Sequence, residues 1–224
     1  MSKSSNILTL YKGFYMKKFL TTIILSTIFS ISASAEISLF NGKNLDGWNF
    51  YLDNPSINPN SIFFVKDGTI NILGKPFGYM YTTEKYSDFK LTLEWRYPEK
   101  PSNSGVFVFV QDQHKLWPNA VECQLCAGKA GDFVLLGGSD LAEFKCQGKR
   151  PAFPVVARSA NNVEKPIGQW NKYEIICKNG NITVYLNSVL VNKGSKPMFK
   201  NGHIALQSEG DLIQFRNIKL QNLK

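Results

Sequence analysis

The stretch FKLTLEWRY (residues 89–97), followed closely by SGVFVFVQ (residues 104–111), decides the fold of this chain. In the first run every second residue is apolar and the residues between them are polar. Because successive side chains of a strand point to opposite faces, this alternation predicts a β-strand with one core face and one polar face. The second run is apolar at almost every position, which predicts a central strand covered on both sides.

Further strand patterns flank this pair. SIFFVKDGTINIL (residues 61–73) predicts two strands around an Asp67-Gly68 turn, and YEIICKNGNITVYLNSVLV (residues 173–191) predicts three strands. No stretch has a sustained helical period. Many short strands at this spacing predict one all-β domain over residues 36–224, an antiparallel β-sandwich of the jelly-roll kind. The Gly- and Pro-rich segment 128–166 predicts long loops at one rim rather than regular strands.

Residues 1–35 are predicted to be a secretory signal peptide, with Met16 as a plausible true start. A basic Met16-Lys17-Lys18 precedes an apolar run of 13 residues (19–31), and Ala33-Ser34-Ala35 forms a small-x-small cleavage site. The run is shorter than the roughly 20 residues that cross a bilayer. No Cys stands at the cleavage point, so a lipid anchor is not expected. The sequence predicts a periplasmic or secreted protein without membrane attachment after cleavage.

Charge gives little support for a nucleic-acid partner. Removal of residues 1–35, which hold four lysines and no acid, lowers the formal net charge from +9 to +5. The remaining Lys and Arg residues are scattered and form no arginine-rich stripe. Binding to nucleic acid is therefore not expected.

The segment ECQLC (residues 122–126) contains a Cys-x-x-Cys spacing. In a strand, Cys123 and Cys126 point to opposite faces, so neither a redox pair nor a shared metal site is expected. Cys123 is predicted to face the core, with Glu122 and Gln124 on the other side, which lines either a groove or a solvated surface. The cysteines of an exported chain allow two disulfides in three connectivities, and the sequence leaves the pairing open: Cys123, Cys126, Cys146 and Cys177.

Polar residues also alternate with apolar ones near the C-terminus. Gln207 and Glu209 belong to one such run and Arg216 to the next. Folded as a hairpin around Gly210-Asp211, the two runs are expected to bring these three side chains together.

Five blocks of sequence, in order, resemble the 3-keto-disaccharide hydrolase domain family. The resemblance covers about residues 37–223, and its blocks are LFNGKNLDGW (39–48), LEWRYPEKPSNSGVFV (93–108), LWPNAVECQL (116–125) with AGDF (130–133), GQWNKYEIICKNGNITVYLN (168–187) and IALQSEGDLIQFRNIKL (204–220).

The resemblance implies a concanavalin A-like jelly roll and an exported enzyme that cleaves glycosides already oxidised to a ketone at C3. The expected substrate is an oxidised oligosaccharide or glucoside, supplied by a sugar 3-dehydrogenase. A C3 ketone acidifies the hydrogen on C2, so a carboxylate can remove it and the C1 substituent can leave. Such a site needs a base, an enolate stabiliser and a proton donor.

The resemblance also implies site residues. Glu122 and Glu209 are expected to share the acid–base work or to hold a divalent metal that polarises the ketone, with Arg216 orienting a carboxylate. The expected substrate-binding residues are Gln124, Gln207, Glu94, Arg96, His114, Trp117 and Arg216. In related sequences a histidine often stands where this chain has Phe109, which can neither ligate a metal nor move a proton.

Structural alternatives stay open for several of these residues. Arg216 could form a salt bridge to Glu209 or Glu94, and a lone loop histidine such as His114 is more often a surface residue. Trp117, next to Pro118, is suited to stack on a sugar ring.

Two other function classes fit the sequence. A carbohydrate-binding module on the same fold would have aromatic side chains in the groove and no close carboxylate pair. A purely structural or interaction domain would have no polar cluster on a concave face. An ordinary glycosidase, which needs no prior oxidation, is a variant of the enzyme hypothesis.

Overall fold

The computed structural model describes residues 35–111 and 115–223. In this part of the chain, fifteen strands and one 3-10 turn (Pro59–Ser61) build two antiparallel sheets. Sheet A contains β1 (Glu36–Ser38), β3 (Phe63–Lys66), β4 (Thr69–Ile72), β6 (Phe89–Arg96), β11 (Asn171–Lys178), β12 (Asn181–Leu186), β13 (Val189–Ser195) and β15 (Ile213–Asn222). Sheet B contains β2 (Trp48–Leu52), β5 (Gly78–Thr82), β7 (Gly105–Val110), β8 (Ala120–Gln124), β9 (Phe133–Leu136), β10 (Val155–Val156) and β14 (His203–Ser208).

The predicted β-sandwich of the jelly-roll class is confirmed. Sheet A has the order β13-β12-β11-β6-β15-β4-β3, with β1 beside β15, and sheet B has the order β10-β9-β8-β7-β14-β5-β2. The strand β6 alternates between buried and half-buried residues along its whole length, and every residue of the central strand β7 is buried. The two deciding stretches therefore lie at the centres of their sheets.

The main core fills the space between the two sheets. Trp95 and Leu91 of β6 belong to the same buried cluster as Val121 and Cys123 of β8. The predicted orientation of β8 is confirmed, because Cys123 faces this core while Ala120 belongs to a second cluster on the opposite side of sheet B. Removing a side chain such as that of Leu91 or Val121 from water stabilises the fold by about 1.5–3 kcal/mol.

The second cluster covers the outer face of sheet B, which we call the site face. It is formed by Tyr79, Phe107, Val110, Ala120, Val134, Leu136 and Ala205, with Tyr51, Tyr81 and Trp117 packed against them. The outer face of sheet A is polar and half-exposed. The apolar cluster therefore distinguishes the site face from the outer face of sheet A, which presents mainly polar side chains.

The predicted hairpin around Gly210-Asp211 is wrong. β14 pairs with β5 and β7 in sheet B, whereas β15 pairs with β6 and β4 in sheet A. The Gly210 turn thus carries the chain from one sheet to the other. The Oγ of Ser102, which accepts a hydrogen bond from the backbone N–H of Asp211 at 2.7 Å, holds this crossover in place.

The glycine-rich segment 128–166 contains more regular structure than its composition predicts. It includes β9 and the short strand β10, which extend sheet B beyond β8. The rest of the segment runs as loops along this edge.

The predicted signal peptide, residues 1–35, lies outside the described residues except for Ala35. Among the described residues, no helix is long and apolar enough to cross a membrane.

Candidate active site

Glu122 lies on the site face of β8 and is almost completely buried, with 3 % of its surface exposed. Its side chain extends over Gly105 on the neighbouring strand β7, where even an added Cβ would collide with the carboxyl oxygen Oε1. Burial raises the pKa of Glu122 well above its ordinary range, and the charge of Glu209 raises it further. The neutral acid is therefore the favoured form of this group.

Glu209 follows the end of β14 and is only partly buried. Burial raises the pKa of Glu209, while hydrogen bonds from the Asn103 and Gln207 side chains oppose that rise. The Gln207 amide donates from Nε2 to Oε2 of Glu209 at 2.7 Å. Two carboxyl groups thus interact across the site in different surroundings, one without such donors and one stabilised by two amides.

Gln124 is the next residue of β8 on the site face. Its Oε1 accepts hydrogen bonds from the backbone N–H groups of Leu125 and Cys126, both at 3.1 Å. Because an oxygen must occupy that position, the orientation of the amide is fixed. Nε2 of Gln124 is therefore the hydrogen-bond donor that this side chain presents to the site.

These polar groups share one cleft of about 220 Å³. Its lining residues are Asn103, Trp117, Glu122, Gln124, Val134, Leu136, Phe153, Val155 and Glu209. A wider depression of about 430 Å³ lies on the outer face of sheet A, where Lys90 and Lys219 are paired with acids. The cleft on the site face is the better candidate site because it alone combines the two perturbed carboxyl groups with an apolar wall.

Several buried acceptors at the cleft lack a partner. In the described part of the chain, four buried side-chain polar atoms make no hydrogen bond, and three of them are Oε1 of Glu122, Oδ1 of Asn103 and Oε1 of Gln207. An unpaired buried polar atom costs about 1–3 kcal/mol unless water or a ligand supplies a donor. The hydroxyl groups of a sugar are such donors.

The structure separates Arg216, Glu94 and Arg96 from the predicted site residues of the cleft. Arg216 lies on the outer face of sheet A and donates from Nε to Glu94 at 2.6 Å, so the salt-bridge alternative with Glu94 describes its contact. Arg96 lies on the same face, and both guanidinium groups lie over the Trp170 ring, at 4.5 and 4.1 Å from its centroid. The prediction that Arg216 orients a site carboxylate failed because β15 belongs to the other sheet.

Phe109 is not a site residue either. A β-bulge between β7 and β14 gives Phe109 a positive φ of 59° and turns its side chain into the main core, 6.2 Å from the Phe89 ring. The expected contrast between Phe109 and a histidine therefore has no consequence for the cleft. His114 falls outside the described residues.

Asn103, Phe153 and Val155 line the cleft but were not identified from the sequence. Asn103 follows a proline-containing turn, and the other two belong to the segment predicted as loop. Trp117 does line the cleft, where its ring packs edge-on at 5.3 Å from Phe153.

A divalent metal would find few charged ligands here. Over residues 35–111 and 115–223, no group of three or more His, Cys, Asp or Glu side chains could hold a metal ion. A cation bound between Glu122 and Glu209 would need amide oxygens, for which Asn103 and Gln207 have unpaired candidates. Such an all-oxygen set fits a hard ion such as Mg²⁺ or Ca²⁺.

Comparison with protein families gives a match along the whole described domain. The model of the 3-keto-alpha-glucoside-1,2-lyase-like domain matches residues 35–221. The chain belongs to this family. The cleft with Glu122 and Glu209 thus lies within the 3-keto-alpha-glucoside-1,2-lyase-like domain.

Proteins from Bacteroides and Parabacteroides species are similar to this chain. A 3-keto-disaccharide hydrolase of Bacteroides thetaiotaomicron is 22 % identical over an alignment of 242 positions. The alignment covers 86 % of this chain and 80 % of that protein. Two structures from Parabacteroides distasonis, each described as a candidate glycosyl hydrolase, share the fold. One is 27 % identical with a TM-score of 0.60, and the match covers 84 % of this chain and 100 % of that structure. The other is 21 % identical with a TM-score of 0.62, and the match covers 84 % of this chain and 94 % of that structure.

Proposed function

We propose that this protein cleaves the glycosidic bond of 3-keto-glycosides by elimination at C1–C2 followed by addition of water. One observation carries the proposal: the carboxyl of Glu122, whose burial favours the neutral acid, and the carboxyl of Glu209, whose charged form two amide donors favour, share one cleft. Membership of the 3-keto-alpha-glucoside-1,2-lyase-like family supports the choice of substrate.

The first half-reaction needs a base and an acid in these protonation states. Glu209 removes the C2 proton, and the electron pair moves to the C3 oxygen as an enolate. The enolate then re-forms the ketone, the C1–C2 double bond forms, and the bond from C1 to the leaving oxygen breaks. Glu122 donates its proton to that oxygen. Each proton transfer of this kind contributes roughly 10²–10⁴-fold.

The developing enolate needs a hydrogen-bond donor at the C3 oxygen. Gln124 presents Nε2 to the cleft in an orientation fixed by the backbone N–H groups of Leu125 and Cys126. A donor that is already oriented stabilises the charge without further reorganisation. We assign this role to Gln124.

The second half-reaction reverses the roles of the two acids. Glu122, now ionised, takes a proton from the water that adds to C1 of the enone, and Glu209, whose proton has exchanged with solvent, returns a proton to C2. The net result is hydrolysis, and both carboxyl groups regain their starting states. If a cation binds between the carboxyl groups, it supplies further polarisation of the ketone.

The proposal includes the cellular setting. Removal of residues 1–35 as a signal peptide places the enzyme in the periplasm or outside the cell. Its substrate must come from an oxidoreductase that takes a hydride from C3 of a glycoside.

An assay in D₂O tests the proposal. The purified protein is given a 3-keto-glucoside and, in parallel, the unoxidised glucoside, with EDTA as a variable. We expect cleavage of the keto substrate alone, with deuterium at C2 of the released sugar. Product incubated without enzyme corrects for spontaneous exchange.

Three variants complete the assay. Glu122→Gln and Glu209→Gln are each expected to lower kcat by at least 10²-fold. Glu174→Gln, on the outer face of sheet A, is the matched control and is expected to keep wild-type activity. Cleavage of the unoxidised glucoside as well, without deuterium at C2, would indicate an ordinary glycosidase, and sugar binding without turnover would indicate a binding module.

A further inference from the structure

The order of strands divides the cleft into two halves. Towards β14 and β7, its lining consists of polar side chains, among them Glu209 and Asn103. Towards β9 and β10, its lining is apolar, with Val134, Leu136 and Val155. Glu122 and Gln124 on β8 stand at the boundary, because β8 lies between β7 and β9.

The apolar half carries large side chains that are left open to solvent. Phe153 and Val155 are each 46 % exposed. Trp117, which also lines the cleft, contacts Phe153, and these two rings form an aromatic series beside the acid pair. Exposed apolar groups that adjoin a polar site mark a surface that a ligand covers.

We propose that this apolar half is a leaving-group subsite for an apolar, aromatic aglycone, so that the preferred substrates are 3-keto aryl glycosides. The inference rests on the proposed function and deepens it. Because Glu122 stands at the boundary, the sugar that bears the ketone lies in the polar half and the leaving group lies in the apolar half. A second sugar would place hydroxyl groups against Val134, Leu136 and Val155, which offer no hydrogen-bond partner.

The test compares the kcat/KM of wild type and variant on the same substrate, so the intrinsic reactivity of the leaving group cancels. The substrates are a 3-keto phenyl glucoside and a 3-keto disaccharide. Phe153→Ala and Val155→Thr are expected to lower kcat/KM for the aryl substrate by about tenfold and to leave the disaccharide within about twofold. Phe199→Ala, which removes an equally large exposed phenylalanine that does not line the cleft, is the matched control.

A binding experiment keeps the test independent of turnover. Phenyl and methyl glucosides of one anomeric configuration, both unoxidised, are titrated into the full protein and followed by calorimetry. We expect tighter binding of the phenyl glucoside by about tenfold, and loss of that preference in Phe153→Ala.

The outcomes separate this inference from the proposed function. Equal losses for both keto substrates, or a loss for the disaccharide alone, would overturn the subsite and leave the function standing. Failure of wild type to cleave either keto substrate would overturn the function. In that case equal binding of the two glucosides would overturn the subsite as well, and a phenyl preference lost in Phe153→Ala would support it.

Discussion

Glu122, the proposed general acid, illustrates how a buried carboxyl can reduce the stability of the fold that carries it. Below the ordinary pKa of a glutamic acid, about 4.3, the carboxyl is neutral in both the folded and the unfolded chain. As pH rises from there towards the raised pKa of the folded state, the unfolded chain releases its proton first. The free energy of unfolding therefore falls across this window and levels off above the folded pKa.

We predict that Glu122→Gln raises the melting temperature at pH 8 and that its advantage over wild type disappears as pH approaches 4. The substitution removes the ionisable group and nearly preserves its volume. Thermal unfolding followed by circular dichroism at several pH values measures the effect, with Glu174→Gln as control. A constant difference between variant and wild type at all pH values would show that Glu122 does not titrate in this way.

Substitutions of Gln124 can test the acceptor oxygen and the donor nitrogen of its amide separately. Gln124→Glu keeps an oxygen for the N–H groups of Leu125 and Cys126 but replaces the Nε2 donor. We predict a loss of about 10²–10³-fold in kcat, with KM changed by only a few-fold, because the donor acts on charge that develops in the transition state. Gln124→Met removes the donor without adding a negative charge and should lose a similar factor; wild-type kcat in that variant would exclude the role.

At the level of single strands, the bulge in β7 decides which side chains of this strand lie on the site face. Alternation alone would place Phe109 on the site face with Phe107, but its positive φ shifts the phase and buries the ring. We predict that Phe109→His lowers the free energy of unfolding by about 2–4 kcal/mol, since it leaves a smaller polar ring in the core. Urea denaturation measures this loss.

The activity of the same variant tests the position of residue 109. The folded fraction of Phe109→His should keep the wild-type kcat/KM and should gain none, because the ring lies on the core side of sheet B. Phe199→His, at an exposed site, is the stability control. An increase in activity would place residue 109 in the site.

Local patterns predicted the strands and their faces well, since alternation and turn chemistry act over a few residues. The faces of β6 and β8 follow directly from period two, and Glu122 and Gln124 were identified for that reason. The hairpin between β14 and β15 failed because a turn signal does not say whether the next strand stays in its sheet. That choice depends on distant partners, here β6 and β4 for β15.

The cleft residues that the sequence did not identify also depend on contacts between distant segments. Asn103 reaches Glu209 because Ser102 holds the Gly210 crossover next to its loop, a contact between segments more than 100 residues apart. Phe153 and Val155 reach the cleft because β10 adds to the edge of β9. Neither arrangement leaves a periodic signal in the sequence.

At the scale of the whole molecule, the two outer faces of the sandwich have separate roles. The site face of sheet B carries both perturbed carboxyl groups and the aromatic series. The outer face of sheet A carries ion pairs, in which Arg216 and Glu94 are half-exposed, with 39 % and 27 % of their side chains accessible. The full core lies between them, so changes on one face should not reach the other.

Arg216→Gln tests this separation. We predict that it lowers the free energy of unfolding by about 0.5–1.5 kcal/mol, because it removes a partly exposed ion pair and the contact with the Trp170 ring. A loss of about 1 kcal/mol corresponds to roughly 2–4 °C in the melting temperature of a domain of this size. The value of kcat/KM on the 3-keto substrate should stay within twofold of wild type.

Arg216→Lys distinguishes charge from stacking in the same experiment. It keeps the positive charge beside Glu94 but loses the planar guanidinium over Trp170, so its stability should lie between those of Arg216→Gln and wild type. A tenfold loss of kcat/KM in both variants, with unchanged unfolding curves, would mean that Arg216 acts on the cleft despite its place on sheet A. Unchanged activity with reduced stability would establish Arg216 as part of the scaffold, which agrees with the proposed assignment of the chemistry to Glu122, Gln124 and Glu209.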